Sequence, residues 1–374
     1  MKSKVPARNK QGMRTGFTTG ACTAAAAKAA ARLAVTRQVA SDIETTLPNG
    51  QKVTFPLEKC ERDGALARCS VIKDAGDDPD CTHGAELIAE VELKEASGIE
   101  ICGGSGVATV TKLGLGLDVG TPAVNPVPRR NITEMVMDEI AGTRFGGARI
   151  TIHVPGGEDM AKKTINARLG LHGGISILGT SGIVRPYSTA AFKASVVQSI
   201  DVARTRGHPA LVLTTGGKSE AYAMRLHPAI DEEAFIQMGD FVGVAVKHSA
   251  RRGVGKLHIV GMMGKLSKMA DGKMQTHAAG SQVNMELLAD LAARSGASPP
   301  LCDEIRQAAT ARRVLELCSE AGITGITTAI CRNVVEATTR HAGGGVDISV
   351  YLVDFSGNLL GHYPPDDHFT QEAL

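Results

Sequence analysis

The chain has 374 residues, and 43% of them are hydrophobic, so it is long and apolar enough for sizeable cores and two domains. Its 41 basic and 39 acidic residues leave a net charge of only +2. No overall field therefore draws it to nucleic acid or anionic lipid, and local clusters must hold any anionic partner. Aromatic residues make up 3% and Trp is absent, which further disfavours binding of nucleic acid.

The cysteines and the N-terminus indicate a cellular compartment. The eight cysteines include no C-x-x-C pair, which predicts reduced, mostly buried thiols. The N-terminus is basic but no apolar segment follows it, and no stretch reaches the roughly 18 apolar residues of a membrane span. We therefore expect a cytoplasmic protein with no membrane partner.

The first half of the chain predicts an α+β domain over residues 1–168. An alanine-rich run from Ala21 to Val35 predicts a helix, with Thr18 or Thr19 as its N-cap. The alternating pattern from Ile43 to Leu57 predicts a hairpin, because Pro-Asn-Gly at its centre favours a tight turn. The remainder of this half is rich in strands and punctuated by glycine.

An acidic loop follows the predicted strand that ends at Ile72. Gly76 and Pro79 disfavour a helix there, so the polar groups belong to a loop at the end of a rigid element. These groups are Lys73, Asp74, Asp77, Asp78, Asp80, Cys81 and His83. A solvated turn in which Asp77 and Asp80 accept hydrogen bonds from nearby backbone amides explains the aspartates, but it explains Lys73 and His83 less well. The loop contains residue types that bind metal ions, but their spacing matches no known metal-binding motif. We therefore favour proton exchange with a substrate by His83, Asp77 and Asp78.

The second half repeats the order strand, glycine loop, helix. The three loops contain Gly179-Thr180-Ser181-Gly182, Gly216-Gly217 and Gly261 to Gly264. This order predicts βαβ units on a parallel sheet over residues 169–342, with all three loops around one crevice at the carboxyl ends of the strands. Lys218, Lys265 and Lys268 follow such loops and predict an anionic or carboxylated ligand. Residues 343–374 predict a hairpin and a tail, with Ser356-Gly357-Asn358 as the turn.

A proline-framed basic pair precedes a further predicted helix. Pro126 and Pro128 limit the backbone freedom of Arg129 and Arg130, which favours their use against carboxylates. An exposed linker with solvated arginines explains the same residues equally well.

Several of these segments resemble the CbiD family, the cobalt-precorrin-5B C(1)-methyltransferases of cobalamin biosynthesis. The likeness spans nearly the whole chain. It lies in residues 14–20, 71–84, 111–117, 125–130, 179–188 and 239–243. The family implies an α+β domain followed by a Rossmann-like α/β/α domain.

The resemblance also implies a reaction and its ligands. A methyl group passes from S-adenosylmethionine to ring carbon C-1 of an anionic cobalt tetrapyrrole to give cobalt-precorrin-6A, and cobalt arrives with the substrate, so no protein metal site is expected. The macrocycle's carboxylates would bind Lys73, Lys112, Arg129, Arg130 and Arg185. The donor would bind Gly179, Thr180, Ser181, Gly182, Gly216 and Gly217, with Glu220 on the ribose hydroxyls.

Two other functions use the same residues. A tetrapyrrole carrier without catalysis would need the basic clusters but would ignore the methyl donor. An aspartate-rich, metal-dependent hydrolase would lose activity to chelators. Contacts with neighbouring pathway enzymes and the oligomeric state stay open.

Overall fold

The computed structural model describes residues 12–277 and 280–365. The chain divides into two compact units, one up to Thr189 and one from Ala190. The basic residues of the N-terminus, Lys2, Lys4, Arg8 and Lys10, lie outside the described part. Within the described residues, no helix is long and apolar enough to cross a membrane.

The first unit is built on a five-stranded mixed sheet. Its elements are β1 (Gly16–Phe17), α1 (Thr19–Thr36), β2 (Asp42–Thr46), β3 (Lys52–Pro56), β4 (Lys59–Asp63), β5 (Leu66–Ile72), β6 (Glu86–Lys94), β7 (Gly98–Gly103), β8 (Gly106–Val107), β9 (Thr109–Val110), α2 (Pro126–Ile140), β10 (Gly147–His153), α3 (Gly157–Ala161), β11 (Leu171–His172), β12 (Gly174–Ile175) and β13 (Ile183–Val184). The sheet order is β4-β5-β6-β10-β7, antiparallel except for the parallel pair β10 and β7.

Helix α1 lies at the centre of the first core. It contacts β5 and β6 of the sheet and also helix α2, so the alanines from Ala24 to Ala27 are fully buried. A helix that is apolar on all faces is a buried helix, and alanine lets its neighbours approach closely. Thr18 is the N-cap, since its side chain accepts a hydrogen bond from the Ala21 N–H at 3.2 Å. The predicted helix and cap are confirmed, and β2 with β3 confirms the predicted hairpin.

The boundary between the units lies later than the predicted 168/169 division. Three short strands, β11, β12 and β13, pair with β9, β8 and β1 respectively, which all belong to the first unit. Residues 169–189 therefore belong to the first unit. A local pattern cannot reveal this pairing, because each partner is remote in sequence.

The second unit is a sheet with helices on both faces. Its elements are α4 (Thr189–Thr205), β14 (Ala210–Thr214), α5 (Gly217–Leu226), a 3-10 helix (Glu232–Ala234), β15 (Phe235–Gln237), α6 (Val242–Arg251), β16 (Lys256–Met262), α7 (Met263–Ala270), α8 (Met285–Arg294), α9 (Pro299–Arg306), α10 (Ala311–Glu320), α11 (Gly325–Ala342), β17 (Asp347–Val353) and β18 (Leu359–Tyr363).

The strand order of this sheet is β15-β14-β16-β17-β18. The first four strands are parallel, and β18 is antiparallel to β17. Leu211 and Leu213 pack into the core that contains α6, α7 and α11, whereas Val212 faces the smaller core beside α5. The predicted final hairpin is confirmed as β17 and β18, and it completes this sheet instead of forming a separate segment. The chain passes from β15 to β16 across β14, so the strand order reverses beside β14.

Candidate functional site

The segments singled out in the first half of the sequence meet at one end of the first unit. Strand β1 pairs with β13, and the Thr18 N–H donates to the Gly182 carbonyl at 3.0 Å. The start of α2 lies against the start of α1, because a Cβ added to Gly20 would stand 2.6 Å from Pro128 Cγ. Both helix N-termini and the loop after β12 thus share one region.

Lys73 is a buried ion-pair partner and not a surface cation. Its side chain is 1% exposed, and Nζ donates to Asp80 Oδ2 at 2.6 Å. Burial opposes ionisation of Asp80, but the charge of Lys73 and hydrogen bonds from Lys73 and Thr82 lower the pKa of its carboxyl. Burial leaves Lys73 no surface with which to bind a substrate carboxylate, so its predicted role there is not supported.

Arg14 ties the N-terminal segment to the acidic loop. Its guanidinium pairs with Asp74, and its backbone N–H donates to Asp77 Oδ2 at 2.6 Å. The Asp77 N–H donates in return to the Arg14 carbonyl at 2.9 Å. Burial opposes ionisation of Asp74, yet hydrogen bonds from Arg14 and the Gly76 N–H lower its pKa. Asp74 and Asp77 therefore fasten two chain segments together.

Asp78 and His83 also have backbone partners. The Tyr187 N–H donates to Asp78 Oδ1 at 2.9 Å. The Ala75 N–H donates to His83 Nδ1 at 3.1 Å, while the His83 side chain is 53% exposed. A neutral imidazole that accepts at Nδ1 carries its proton on Nε2. In this arrangement Nε2 is the nitrogen of His83 that can donate a hydrogen bond.

Three arginines line the same end of the first unit. Arg129 and Arg130 lie in the first turn of α2, whose N-cap Asn125 makes no side-chain capping bond. Within the described residues, Arg129 and Arg185 have no ion pair, and Arg130 has only a distant one to Glu134 at 3.8 Å. These charges and the helix N-terminus make the region electropositive.

Lys112 lies on a different part of the first unit. The Thr111 N–H donates to the Gly170 carbonyl at 2.7 Å. The alkyl chain of Lys112 covers Gly170, since a Cβ added there would stand 2.3 Å from Lys112 Cγ. This packing fixes the Lys112 stem against the chain just before β11.

The loop from Gly179 to Gly182 belongs to the first unit, which corrects its predicted place beside the other glycine loops. It wraps the start of α1, and a Cβ added to Gly179 would stand 2.3 Å from Thr18 Oγ1. The preceding Leu178 N–H donates to Thr19 Oγ1 at 2.9 Å. Contact with α1 thus explains Gly179 without a ligand.

The other two glycine loops do converge, on an open cavity of about 1660 Å³ in the second unit. Gly216 and Gly217 follow β14, and Gly264 follows β16, so the cavity lies at the carboxyl ends of the parallel strands beside the reversal of strand order. This is where ligands bind in open α/β sheets. The predicted basic residues Lys218, Lys265 and Lys268 line the same cavity.

Glu220 does not line this cavity. Its side chain is buried, with the residue 4% exposed, and Oε2 accepts from Gln237 Nε2 at 2.7 Å. Asp240, three residues beyond β15, does line the cavity, as do Glu316, Glu320 and Asp354. Residues 239–243 are part of the family resemblance, but the sequence pattern assigns no role to Asp240, because β15 is only three residues long and the pattern does not predict it.

Asp240 is held in place through one of its two oxygens. Oδ1 accepts from Thr276 Oγ1 at 3.0 Å and lies 3.1 Å from Lys265 Nζ. Lys265 Nζ also donates to the Thr215 carbonyl at 2.8 Å, which connects the glycine loop after β14 to the acid after β15. In the described part of the chain, Asp240 Oδ2 has no partner and remains available to a ligand.

Two glycines of this cavity, Gly217 and Gly264, are not required by packing. A Cβ added to Gly217 would meet nothing nearer than 3.9 Å, and one added to Gly264 would meet nothing within 4 Å. Neither residue has a left-handed backbone. Their missing side chains therefore leave room for a ligand close to the backbone.

Metal-ligating side chains are not clustered in the part of the chain that the structure describes. No group of three or more His, Cys, Asp or Glu residues there could hold a metal ion. The acids of the loop after β5 instead bind Lys73, Arg14 and backbone amides.

Comparison with known proteins places this geometry in a family. Residues 6–186 match the CbiD family model, and residues 275–364 match the model of the CbiD C-terminal domain. The chain is 55% identical to the cobalt-precorrin-5B C(1)-methyltransferase of Leptospira borgpetersenii serovar Hardjo-bovis (strain JB197), over 89% of each chain. It is 50% identical to that of Variovorax paradoxus, over 95% of this chain and 98% of the relative.

One solved structure is also similar. It is the cobalamin biosynthesis protein (cbiD) from Archaeoglobus fulgidus, 31% identical over 68% of this chain and 79% of that chain, with a TM-score of 0.37. The sequence identities alone, extending over nearly the full length of both chains, decide the relationship. The chain belongs to the CbiD family.

Proposed function

We propose that this protein is a methyltransferase that moves a methyl group from S-adenosylmethionine to carbon C-1 of cobalt-precorrin-5B, giving cobalt-precorrin-6A in cobalamin biosynthesis. The observation that carries the proposal is the identity of 46–56% to proteins named cobalt-precorrin-5B C(1)-methyltransferase. A carrier without catalysis is not favoured, because these relatives are named for a transfer reaction.

The second unit is proposed to be a Rossmann-like donor-binding unit. Its parallel strands, the helices on both faces and the cavity beside the strand reversal support this assignment. The donor contacts proposed from the sequence are kept at Gly216 and Gly217, whereas Gly179, Thr180, Ser181 and Gly182 are withdrawn because their loop packs on α1.

Asp240 replaces Glu220 as the proposed partner of the ribose hydroxyls. Its Oδ2 can accept their hydrogen bonds while Lys265 and Thr276 hold Oδ1. Helix α5 begins at Gly217 without a side-chain cap, so its N-terminus suits the donor's carboxylate. The open backbone at Gly217 and Gly264 allows the donor to lie close to both loops.

In the proposed reaction the main role of the protein is to position the methyl donor and the acceptor carbon. S-adenosylmethionine supplies an electrophilic methyl group on a sulfonium. The residues of the cavity hold this methyl in line with the acceptor carbon, and such orientation can remove about 7 to 11 kcal/mol of a barrier. No side chain needs to form a covalent bond.

The electropositive end of the first unit is proposed to bind the macrocycle's carboxylates. Arg129, Arg130 and Arg185 are the proposed contacts, because their charges are unpaired or weakly paired. Leu178 and Tyr187, on the same segments, are 49% and 69% exposed and offer apolar surface for the ring system. Lys112 stays a proposed contact through its ammonium group.

His83, Asp77 and Asp78 are proposed to act by position. The outward Nε2–H of His83 can donate to a macrocycle carboxylate. Asp77 and Asp78 hold the segments that carry Arg14 and Tyr187. Asp77 Oδ2, Asp78 Oδ1 and His83 Nδ1 already accept backbone hydrogen bonds, which supports a positioning role, and proton exchange through the other atoms of these side chains stays a prediction.

The test is an anaerobic incubation of the purified protein with methyl-labelled S-adenosylmethionine and cobalt-precorrin-5B. We expect one labelled methyl group in the macrocycle and a matching increase in its mass. Tight binding of the macrocycle without transfer of label would contradict the proposal and support a carrier.

A further inference from the structure

The cavity of the second unit is larger than the proposed donor site. Its volume of about 1660 Å³ exceeds the roughly 300 to 1,000 Å³ of most small-molecule pockets. The residues proposed for the donor lie at the ends of β14 and β15 and at the start of α7. The rest of the wall comes from the segment between α7 and α8, from α10 with the residues just before it, from the start of α11, from the turn after β17 and from Leu360.

The strand order separates this second part of the cavity from the proposed donor contacts. Adjacent strands lie about 4.8 Å apart, so the end of β17 is roughly 10 Å from that of β14 and roughly 14 Å from that of β15. A donor held at Asp240 and at Gly216 and Gly217 covers the ends of β15 and β14. The open cavity beyond it lies over β16 and β17.

An aromatic side chain lies at this end of the cavity, on a turn held by hydrogen bonds. Phe355 is 59% exposed although it lines the cavity. Its carbonyl accepts from Tyr222 Oη at 2.6 Å. Asp354 Oδ1 accepts from the backbone N–H groups of Ser356 at 2.7 Å and Asn358 at 2.9 Å, which makes the turn rigid. The exposed ring is therefore presented on a preorganised turn.

A cation lies over the ring. The guanidinium carbon of Arg312 lies 5.5 Å from the Phe355 ring centroid, and Arg312 Nε donates to Glu316 Oε1 at 3.0 Å. This pair is exposed and adds little stability, and Arg313 also pairs with Glu316. Arg312 can therefore turn to a ligand carboxylate while Glu316 keeps a cationic partner.

The wall at this end is partly acidic and partly apolar, and its acids Glu320 and Asp354 are bound to Arg313 and to backbone N–H groups of the turn respectively. Leu315, Ile323 and Leu360 line the cavity near this pair. A flat conjugated ring bearing carboxylates fits an aromatic face, an apolar wall and an arginine together. All of these residues lie in residues 275–364, the segment that matches the CbiD C-terminal domain. The donor side of the cavity lies largely before that segment.

We infer that this end of the cavity is the acceptor subsite, where Phe355 packs on the reacting edge of the macrocycle and Arg312 pairs with one of its carboxylates. The inference rests on the proposed function. The acceptor carbon must meet the donor's methyl group, so the reacting edge enters the donor's cavity whatever contacts the rest of the macrocycle makes. The carbon's electron pair forms the new bond to methyl, and the carbon–sulfur pair stays on sulfur.

The test measures the two ligands separately in Phe355→Ala, Arg312→Gln and a control, Arg306→Gln. Arg306 has the same charge and belongs to the same unit, but it pairs with Glu286 and Asp303 and does not line the cavity. Anaerobic absorbance titration gives the Kd for cobalt-precorrin-5B, and calorimetry gives the Kd for S-adenosylmethionine.

We expect Arg312→Gln to raise the macrocycle Kd about tenfold, the worth of one hydrogen bond to a charged group, and Phe355→Ala to raise it at least about threefold. Both variants should bind the donor as the parent does, and Arg306→Gln should change neither Kd. An unchanged macrocycle Kd, or a weakened donor Kd instead, would overturn the inference while leaving methyl transfer intact. Failure of the parent protein to transfer methyl would overturn the proposed function itself.

Discussion

Asp240 and Glu220 are two carboxylates of the second unit with opposite surroundings. Asp240 lines the cavity and keeps one oxygen without a partner in the described part of the chain. Glu220 is buried and bonded to Gln237. A carboxylate that is fixed but half unsatisfied suits ligand binding, whereas one that is enclosed and hydrogen-bonded suits structure.

Exchange of each acid for its amide separates these roles. Asp240→Asn should weaken S-adenosylmethionine binding about tenfold or more, because the amide group cannot accept hydrogen bonds at both positions. Glu220→Gln should leave donor affinity within about twofold and cost about 1 to 3 kcal/mol of unfolding free energy. Calorimetry and urea unfolding measure the two effects. The reverse pattern would restore Glu220 as the ribose partner.

The Lys73–Asp80 ion pair should contribute to the stability of the fold, whereas the sequence predicts that Lys73 binds the substrate. Lys73→Met leaves the partly buried Asp80 charge without its partner, which should lower the free energy of unfolding by about 3 kcal/mol. This loss lies at the low end of the range usual for removing one partner of a buried ion pair, because the Asp80 side chain is 23% exposed. Urea unfolding measures the change, and the double variant with Asp80→Asn should lose less than the sum of the single variants. A variant of parental stability with a weakened macrocycle Kd would contradict this assignment.

At the scale of elements, two glycines at the beginnings of helices have different reasons to be glycine. Gly20 is the second residue of α1, where an added Cβ would stand 2.6 Å from Pro128 Cγ and 3.0 Å from the Leu178 carbonyl oxygen. Gly264 is the second residue of α7, where an added Cβ would meet nothing within 4 Å. Packing of α1 against α2 thus requires Gly20, whereas no contact among the described residues requires Gly264.

Alanine should therefore act in opposite directions at these positions. Gly20→Ala should destabilise the protein by about 1 to 3 kcal/mol, despite the higher helix propensity of alanine, because the helices must move apart. Gly264→Ala should keep or raise stability by up to about 1 kcal/mol but weaken donor binding. Thermal unfolding and calorimetry check both outcomes. Equal donor affinity in Gly264→Ala and the parent would show that donor binding does not need a glycine at this position.

The same comparison shows what the sequence could predict at this scale. Helix α1 and its cap Thr18 depend on neighbours within four residues, and the pattern predicts them correctly. The loop from Gly179 to Gly182 is glycine-rich like the loop after β14. It lies against α1 instead, where the preceding residue, Leu178, bonds to Thr19, 159 residues away in the chain. Only long-range pairing separates the two loops, so the sequence placed both in one crevice.

At the scale of the whole molecule, each unit has a hydrophobic core of its own. One core gathers around α1 and the first sheet, and the other lies between the second sheet and helices α6, α7 and α11. The residues that line the cavity all come from the second unit. Donor binding is therefore expected to need that unit alone.

Fragments test this expectation together with the boundary. A fragment of residues 189–374 should fold and bind S-adenosylmethionine with nearly the affinity of the full chain, since it keeps every strand of its sheet. A fragment of residues 1–189 should fold without binding the donor. A third fragment, residues 169–374, follows the division predicted from sequence and carries β11, β12 and β13 without their partners.

The third fragment decides between the two boundaries. Its unpaired strand edges expose backbone groups that favour association, so it should elute as larger species in gel filtration, unlike residues 189–374. Circular dichroism and calorimetry then show whether each fragment is folded and whether it binds the donor. Donor binding by the full chain alone, with folded fragments that do not bind, would mean that the cavity of the second unit is not sufficient for the donor.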